Sequence, residues 1–234
     1  MSSSYYPLII AHRGSSLEAY ENSFAAFKLA VKQKADMIEL DTHLTQDGFF
    51  IIYHDGIIKL QGKPYVISRT KLETLQLLSL PNGESIPLLD DVLRLLLPSI
   101  KFNVEIKCSV TRKQFEDMLN EVGGDNTRII ISSFRTAVME ELKNSKLGYD
   151  LAFLYLFLTP KIKKMVDLNY ISAFNPNHVF LREKHVKFFH QKKKKVYPWT
   201  IDAEKDIKKL VKKRVDGIIT NDPEKTRKIM EALI

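Results

Sequence analysis

Lys101-Phe102-Asn103-Val104-Glu105-Ile106-Lys107, followed by 111–122 and then Gly123-Gly124, is the stretch on which the fold turns. Residues 101–107 read as a strand. Side chains in a strand change face at every residue, so Glu105 and Lys107 point the same way. Residues 111–122 place Phe115, Met118, Leu119 and Val122 on one face of a helix, and the glycine pair stops it. The same alternation continues to the end of the chain. Strands are expected at 128–132, 149–158, 170–174, 195–201 and 215–220. Helices are expected at 136–146, 160–168 (opened by Pro160 in its first turn), 182–193, 203–213 and 223–233. Upstream lie a strand at 8–11, a helix at 23–33, and strands at 37–44 and 49–53. A loop and short helix at 84–97 follow, with Leu89, Val92, Leu93 and Leu96 as the apolar stripe.

Strand and helix repeated about eight times predict a parallel sheet. Eight such units in 234 residues favour closure into a barrel over an open doubly wound sheet, since a (β/α)8 barrel of roughly 250 residues is an ordinary single domain. The expectation is an α/β chain folded as one TIM barrel domain over 1–234. A small insertion at about 56–85 breaks the rhythm. It follows a hairpin-like return through 49–54, reads as irregular apart from a short helix at 71–78, and is too short to carry its own core.

The chain has 36 Lys and Arg against 28 Asp and Glu, a net charge of +8, which favours anionic ligands without bearing on fold. A single cysteine, Cys108, excludes an intrachain disulfide and a cysteine-rich zinc site, and fits a reducing compartment. Residues 1–7 have neither a basic segment nor an apolar one of the kind that opens a signal peptide. The longest apolar run, 151–158, falls far short of the roughly 20 residues that span a bilayer. A cytoplasmic protein without a stable membrane anchor is expected.

Charged residues stand at the ends of the apolar strand runs: His12-Arg13 after 8–11, Glu39 and Asp41 on one face of 37–44, His54-Asp55 after 50–53, and Glu105 with Lys107. In an α/β barrel the C-terminal strand ends face the active site. Charges within strand runs need a partner or a metal. One reading is a set of structural salt bridges at the barrel mouth, but the residues are too chemically consistent for that. Three carboxylates without cysteine suit Mg²⁺ or Ca²⁺, with Mn²⁺ as an alternative, better than zinc. Arg13 and Lys107 would neutralise a phosphate. Two histidines can serve as general base and general acid. The combination describes phosphodiester cleavage.

His12-Arg13-Gly14, Glu21-Asn22-Ser23, Glu39-x-Asp41, Leu44-Thr45-x-Asp47-Gly48 and His54-Asp55 resemble the signature of the glycerophosphodiester phosphodiesterase family. So do Ile86 to Leu93, Glu105-Ile106-Lys107, Asn175-Pro176, Trp199-Thr200 and Asp216 to Pro223, in the same order, so that the similarity runs from about Leu8 to Pro223. The resemblance implies a TIM barrel with a small insertion after the His-Asp block. It implies Glu39, Asp41 and Glu105 as ligands of a divalent cation, His12 and His54 as the acid–base pair, and Arg13 and Lys107 as phosphate ligands. The implied reaction runs through a cyclic glycerol phosphate to sn-glycerol 3-phosphate. We take His12 as base and His54 as acid; the sequence alone does not order them. Lysolipids, in a lysophospholipase D reaction, are an alternative substrate class, with Phe153, Tyr155 and Phe157 as the apolar approach. A barrel that binds phosphate without turnover is another, against which the intact histidine pair argues.

The chain departs from the family pattern at Tyr20, where proline is usual, at Asp202, usually asparagine, and at Asn221, usually aspartate. Trp199 is expected to wall the substrate pocket. His43 shares parity with Glu39 and Asp41 and reads as a supporting residue; His178, His185 and His190 read as solvated or packing residues. The basic runs 192–195 and 208–213 read as solvated helix faces, and no nucleic-acid-binding module is present. Cys108 is expected to be packed and unreactive.

Overall fold

Strand parity organises the molecule. In the computed structural model, which describes residues 6–60 and 62–233, the first strand β1 (Leu8–His12) turns Ile9 and Ala11 outward against helices and Ile10 inward. The next strand, β2 (Met37–Leu44), does the same with Ile38 and Leu40 outward and Met37 inward. Between them runs α1 (Phe24–Lys32), whose Ser23 cap accepts a hydrogen bond from the Ala26 N–H, satisfying one of the open donors of a first turn. The opening Met1 to Tyr5, on which the signal-peptide expectation rests, lies outside the described residues.

The second half repeats the unit: β6 (Lys101–Ile106) and α4 (Arg112–Val122), β7 (Ile129–Ser133) and α5 (Thr136–Leu142), β8 (Asp150–Tyr155) and α6 (Pro160–Met165). It continues through β9 (Ala173–Pro176) and α7 (Glu183–Gln191), β10 (Lys195–Val196) and α8 (Glu204–Lys212), then β11 (Gly217–Thr220) and α9 (Pro223–Glu231). Among the described residues eight parallel strands stand in the order β10-β9-β8-β7-β6-β2-β1-β11. The seam between β10 and β11 is bridged by backbone bonds from Asp216 N to Val196 O (3.0 Å), Ile219 N to Pro198 O (3.0 Å) and Ile201 N to Ile219 O (2.9 Å). The result is a nearly closed (β/α)8 barrel, as the rhythm predicts.

The outer layer between strands and helices is one continuous apolar core. Inside the barrel a smaller cluster of Ile10, Met37, Ile130, Ala152, Ala173, Tyr197 and Ile219 fills the lower layer, as in barrels whose interior is packed rather than hollow. Gly217 makes room for it, since a Cβ there would come within 2.8 Å of the Tyr197 ring.

Several boundaries differ from the sequence reading. Helix α5 ends at Leu142 because the chain turns left-handed at Asn144 (φ 61°). Strand β9 lies later than expected because Ala173 pairs with Ala152. Strand β10 is short at Pro198, which has no N–H to give, yet Tyr197 N and Trp199 N still donate to Phe174 O and Pro176 O.

The insertion differs most. A short strand, β3 (Phe50–Ile52), returns antiparallel to β2. A hairpin follows, β4 (Ile57–Leu60) against β5 (Lys63–Val66), and then α2 (Leu72–Gln76). Helix α2 falls within the short helix expected at 71–78, whereas the hairpin replaces the irregular chain expected before it. Together they assemble a small apolar cluster of Ile58, Ile67, Leu75, Leu78, Leu80 and Ile86 around Ile51 of β3. The insertion is tied back to the barrel by Glu84, whose carboxylate accepts from Phe24 N (2.9 Å) and Ala25 N (3.2 Å) at the start of α1. Helix α3 (Leu89–Leu96) then buries Leu89, Val92, Leu93 and Leu96 as expected.

Candidate active site

Two residues further along several of the strands, the inward parity turns polar, whereas on β8 it stays apolar from Ala152 to Leu154. Ile10 gives way to His12, Met37 to Glu39 and then Asp41, and Ile130 to Ser132, while β6 carries Asn103, Glu105 and then Lys107. Register sets Asp41 beside Glu105 and His12 beside Glu39 on neighbouring strands. The predicted charges therefore converge at the C-terminal mouth. Most of them line a cavity of about 170 Å³ whose charged wall is His12, Arg13, Glu39, His54, Glu105 and Lys107, while Asp41 lies behind it beside Glu105. Phe134, Leu154, Trp199 and Ile219 form its apolar wall.

Glu39, Asp41 and Glu105 are buried, and one oxygen of each lies within 4.8 Å of the others. Burial, then the charges of Asp41 and Glu105, hold the Glu39 carboxyl well above the usual carboxylate range. Glu105 is raised by burial and by Asp41. Asp41 moves the other way: burial pushes it up, but Lys107 and Arg13 outweigh that and hold it low. Asn22 adds a hydrogen bond from Nδ2 to Asp41 Oδ2 (2.9 Å). The cluster could hold a metal ion. Like charges gathered out of water are costly unless a cation meets them, and the buried Asn103 Oδ1 beside them has no hydrogen-bond partner. Such an all-oxygen donor set fits a hard divalent cation.

Both cationic side chains brace these carboxylates. Arg13 Nη1 donates to Glu21 at 2.8 and 2.9 Å and its Nε lies 3.0 Å from Asp41 Oδ2. Lys107 Nζ donates to Glu105 Oε1 at 2.9 Å. Burial lowers the Lys107 ammonium, but Asp41 and Glu105 more than offset it and raise it above its ordinary value. Arg13 takes a left-handed backbone (φ 55°) so that its own N–H can donate to Glu39 Oε2 at 3.0 Å. Gly14 follows with φ 83°, where a Cβ would meet the Ala26 backbone at 2.7 Å; only glycine lets the turn after β1 lie on α1.

The histidines sit in unlike surroundings. His12 Nδ1 meets Asn221 Oδ1 at 2.7 Å, and its Nε2 faces the cavity 3.9 Å from Glu39 Oε2. Burial, then Arg13, lower its pKa. His54 is half-buried and donates from Nδ1 to Asp55 Oδ1 at 2.8 Å. It is carried by the chain just past β3, and His43 Nε2 donates to its backbone carbonyl at 3.1 Å, a supporting role of the kind expected for His43.

Trp199 lines the cavity, donates from Nε1 to Asn175 O (2.9 Å), and meets Phe134 edge to face at 5.7 Å. His178, read from sequence as packing or solvated, bonds the Trp199 carbonyl through Nδ1 at 3.2 Å. Phe153 and Tyr155 point into the outer core, away from the cavity. Phe157 is exposed and packs on Phe180 with ring centroids 4.3 Å apart. Lys194, within the basic run, is buried and gives its ammonium to the carbonyls of Leu168 and Ile171. Burial pushes the Cys108 thiol pKa up, as expected of an unreactive thiol.

Asn103, Ser132, Leu154 and Ile219 were not singled out by sequence reasoning. Their signal was parity: Asn103 lies two residues before Glu105, and Ser132 pairs with Glu105 across the ladder.

The chain matches the glycerophosphoryl diester phosphodiesterase family over residues 12–225. It is 31% identical over 232 residues to the glycerophosphodiester phosphodiesterase of Caldanaerobacter subterraneus subsp. tengcongensis, covering 93% of this chain and 95% of the relative. A Bacillus altitudinis glycerophosphodiester phosphodiesterase is 27% identical, with 96% and 98% covered. Among solved structures, an Oleispira antarctica phosphodiesterase in complex with the product sn-glycerol-3-phosphate shares the fold with a TM-score of 0.88. That structure is 22% identical, over 97% of this chain and 98% of that one. By the match over residues 12–225 and the 31% identity across nearly the whole of both chains, the chain belongs to the glycerophosphoryl diester phosphodiesterase family.

Proposed function

We propose that this enzyme hydrolyses glycerophosphodiesters to sn-glycerol 3-phosphate and an alcohol, with Glu39, Asp41 and Glu105 holding a divalent cation, Mg²⁺ or Ca²⁺. The observation that carries this reading is the convergence of Glu39, Glu105, two histidines, Arg13 and Lys107 on one cavity, with the buried Asp41 carboxylate within 4.8 Å of Glu39 and Glu105 behind its wall. The cation, when bound, supplies positive charge to the phosphate and helps orient it. Arg13 and Lys107 add fixed positive charge on the same side. His12 Nε2 takes the proton of the glycerol 2-hydroxyl as that oxygen bonds to phosphorus. His54 gives a proton to the departing alcohol oxygen as its bond to phosphorus breaks. The cyclic glycerol phosphate so formed is opened by water, with the proton transfers reversed. The apolar wall at Trp199 and Phe134 packs the glycerol carbons. A cytoplasmic setting fits the single cysteine; no helix among the described residues is long and apolar enough to cross a membrane.

The test is release of sn-glycerol 3-phosphate from glycerophosphocholine and glycerophosphoethanolamine with Mg²⁺, Ca²⁺ or Mn²⁺ and with EDTA. Turnover lost to chelator is expected. No turnover of any phosphodiester with any of these cations overturns the reading.

A second reading, activity on lysolipids, has one specific support. Phe134, Leu156, Phe157, Val179 and Phe180 are exposed on the loops that follow β7, β8 and β9, beside the cavity mouth. They form an apolar rim where an acyl chain could lie. Release of choline from lysophosphatidylcholine, lost in Phe157→Ser/Phe180→Ser while glycerophosphocholine turnover persists, would identify that use.

A further inference from the structure

We infer that Asp202 and Asn221 form a directional hydrogen-bond relay that fixes His12 with its proton on Nδ1 and its lone pair on Nε2. Asn221 is thereby a positioning residue for the reaction proposed above, on which its catalytic meaning rests.

The direction of the relay is set at its far end. Asp202 Oδ1 accepts from the Asn221 backbone N–H (2.8 Å) and from Thr220 Oγ1 (2.9 Å), which anchors the carboxylate just past β11. Its Oδ2 lies 2.7 Å from Asn221 Nδ2. An ionised carboxylate only accepts, so the atom of Asn221 that faces it is the NH₂ group, and the amide cannot turn over. Asn221 Oδ1 therefore faces β1. There it accepts from Ser16 Oγ at 2.9 Å and stands 2.7 Å from His12 Nδ1. A carbonyl oxygen has no proton to give, so Nδ1 must carry one. In a neutral imidazole the other nitrogen is then bare.

That bare nitrogen is the one that faces the cavity, 3.9 Å from Glu39 Oε2, where a base is needed. Among the described residues the hydrogen bond to Asn221 is the one that the ring makes, Glu39 Oε2 at 3.9 Å from Nε2 being beyond hydrogen-bond reach. A ring with its proton on Nε2 presents a donor to the entering hydroxyl. The group against the ring is a neutral amide, and the negative charge sits one hydrogen bond further out. His54 contrasts with this, since its Nδ1 bonds directly to the Asp55 carboxylate.

The test is ¹⁵N–¹H correlation of the histidine rings of the full-length protein at neutral pH, with assays alongside. The wild-type His12 ring is expected to show a protonated Nδ1 and an unprotonated Nε2. Asn221→Leu and Asp202→Asn are expected to mix the two tautomers and to lower kcat/KM by about 10- to 100-fold through kcat, with KM little changed. The Asp202→Asn/Asn221→Asp double variant reverses donor and acceptor along the relay and still sets an acceptor against Nδ1. It should recover the tautomer and most of the rate. A wild-type spectrum with the proton on Nε2 overturns the proposal, as does a double variant no better than the single ones. The wild-type spectrum decides even if a variant does not fold, and it judges the relay independently of whether any diester is turned over.

Discussion

Lys107 Nζ lies 3.1 Å from Asp41 Oδ1, and Asp41 is almost completely buried. Without the ammonium, Glu39, Asp41 and Glu105 would lie together with Arg13 as the main remaining charge to offset them. Lys107→Met should therefore destabilise the metal-free protein by about 3 kcal/mol, the scale of breaking a buried pair from one side. Mg²⁺ should recover most of the loss in Tm. On the proposed role of Lys107 at the phosphate, losing its charge should also lower kcat/KM by about 100-fold. Thermal melts with and without Mg²⁺, beside steady-state kinetics, check both.

The roles proposed for the two histidines differ at the leaving group. His12→Ala and His54→Ala should each lower kcat on glycerophosphocholine by about 10²- to 10⁴-fold. With a p-nitrophenyl diester of glycerol phosphate the leaving oxygen needs no proton. The deficit of His54→Ala should then shrink sharply and that of His12→Ala should not. The opposite pattern would exchange the two roles.

As a proposed cation ligand with a raised pKa, Glu39 should link proton and cation binding. Burial and its acidic neighbours raise its pKa in the folded protein, so the metal-free fold holds a proton that the unfolded chain has released. Stability of the metal-free protein should fall as pH rises from the ordinary carboxylate range through the raised value. Cation binding at a pH below that value should expel the proton, seen in calorimetric titrations as a heat that varies with the buffer's ionisation enthalpy. Glu39→Gln should lessen the pH slope of Tm, leaving the part due to the likewise raised Glu105, and should weaken both cation binding and the proton release that accompanies it.

Gly14→Ala tests the turn that delivers Arg13. The left-handed backbone and the 2.7 Å approach to Ala26 should together cost at least about 2 kcal/mol. Chemical denaturation measures it. The barrel should survive, and activity should fall further than stability, because Arg13 and the His12 strand end move with the turn.

The barrel was legible from sequence because its signal is periodic. Strand parity and helical spacing repeat unit after unit, and β2 lies where the run of Met37 to Leu44 places it. The site was legible because charge inside an apolar strand is rare and its parity assigns a face, which brought Glu39, Asp41, Glu105 and Lys107 together. The β4–β5 hairpin escaped because Lys59, Lys63 and Pro64 interrupt any alternation across its tip. Phe153 and Tyr155 were drawn towards the substrate by their aromatic character, but they share the outward parity of Leu151. The bond from His12 to Asn221 spans 209 positions. It exists because β11 lies beside β1, a closure that no local pattern encodes.

His54 reaches the cavity by a different route from every other charged group of the site. It stands beyond β3, which is antiparallel to the barrel and leads directly into the inserted hairpin. The remaining groups belong to the barrel wall or the turns that leave it. The His54 side of the cavity is thus furnished by an appendage, and the side of Glu39, Arg13, Glu105 and Lys107 by the scaffold. A change in the length or packing of residues 56–85 can therefore reshape the His54 side while the acidic cluster keeps its spacing. On the roles proposed for these residues, the side that meets the departing alcohol can vary independently of the side that holds the phosphate.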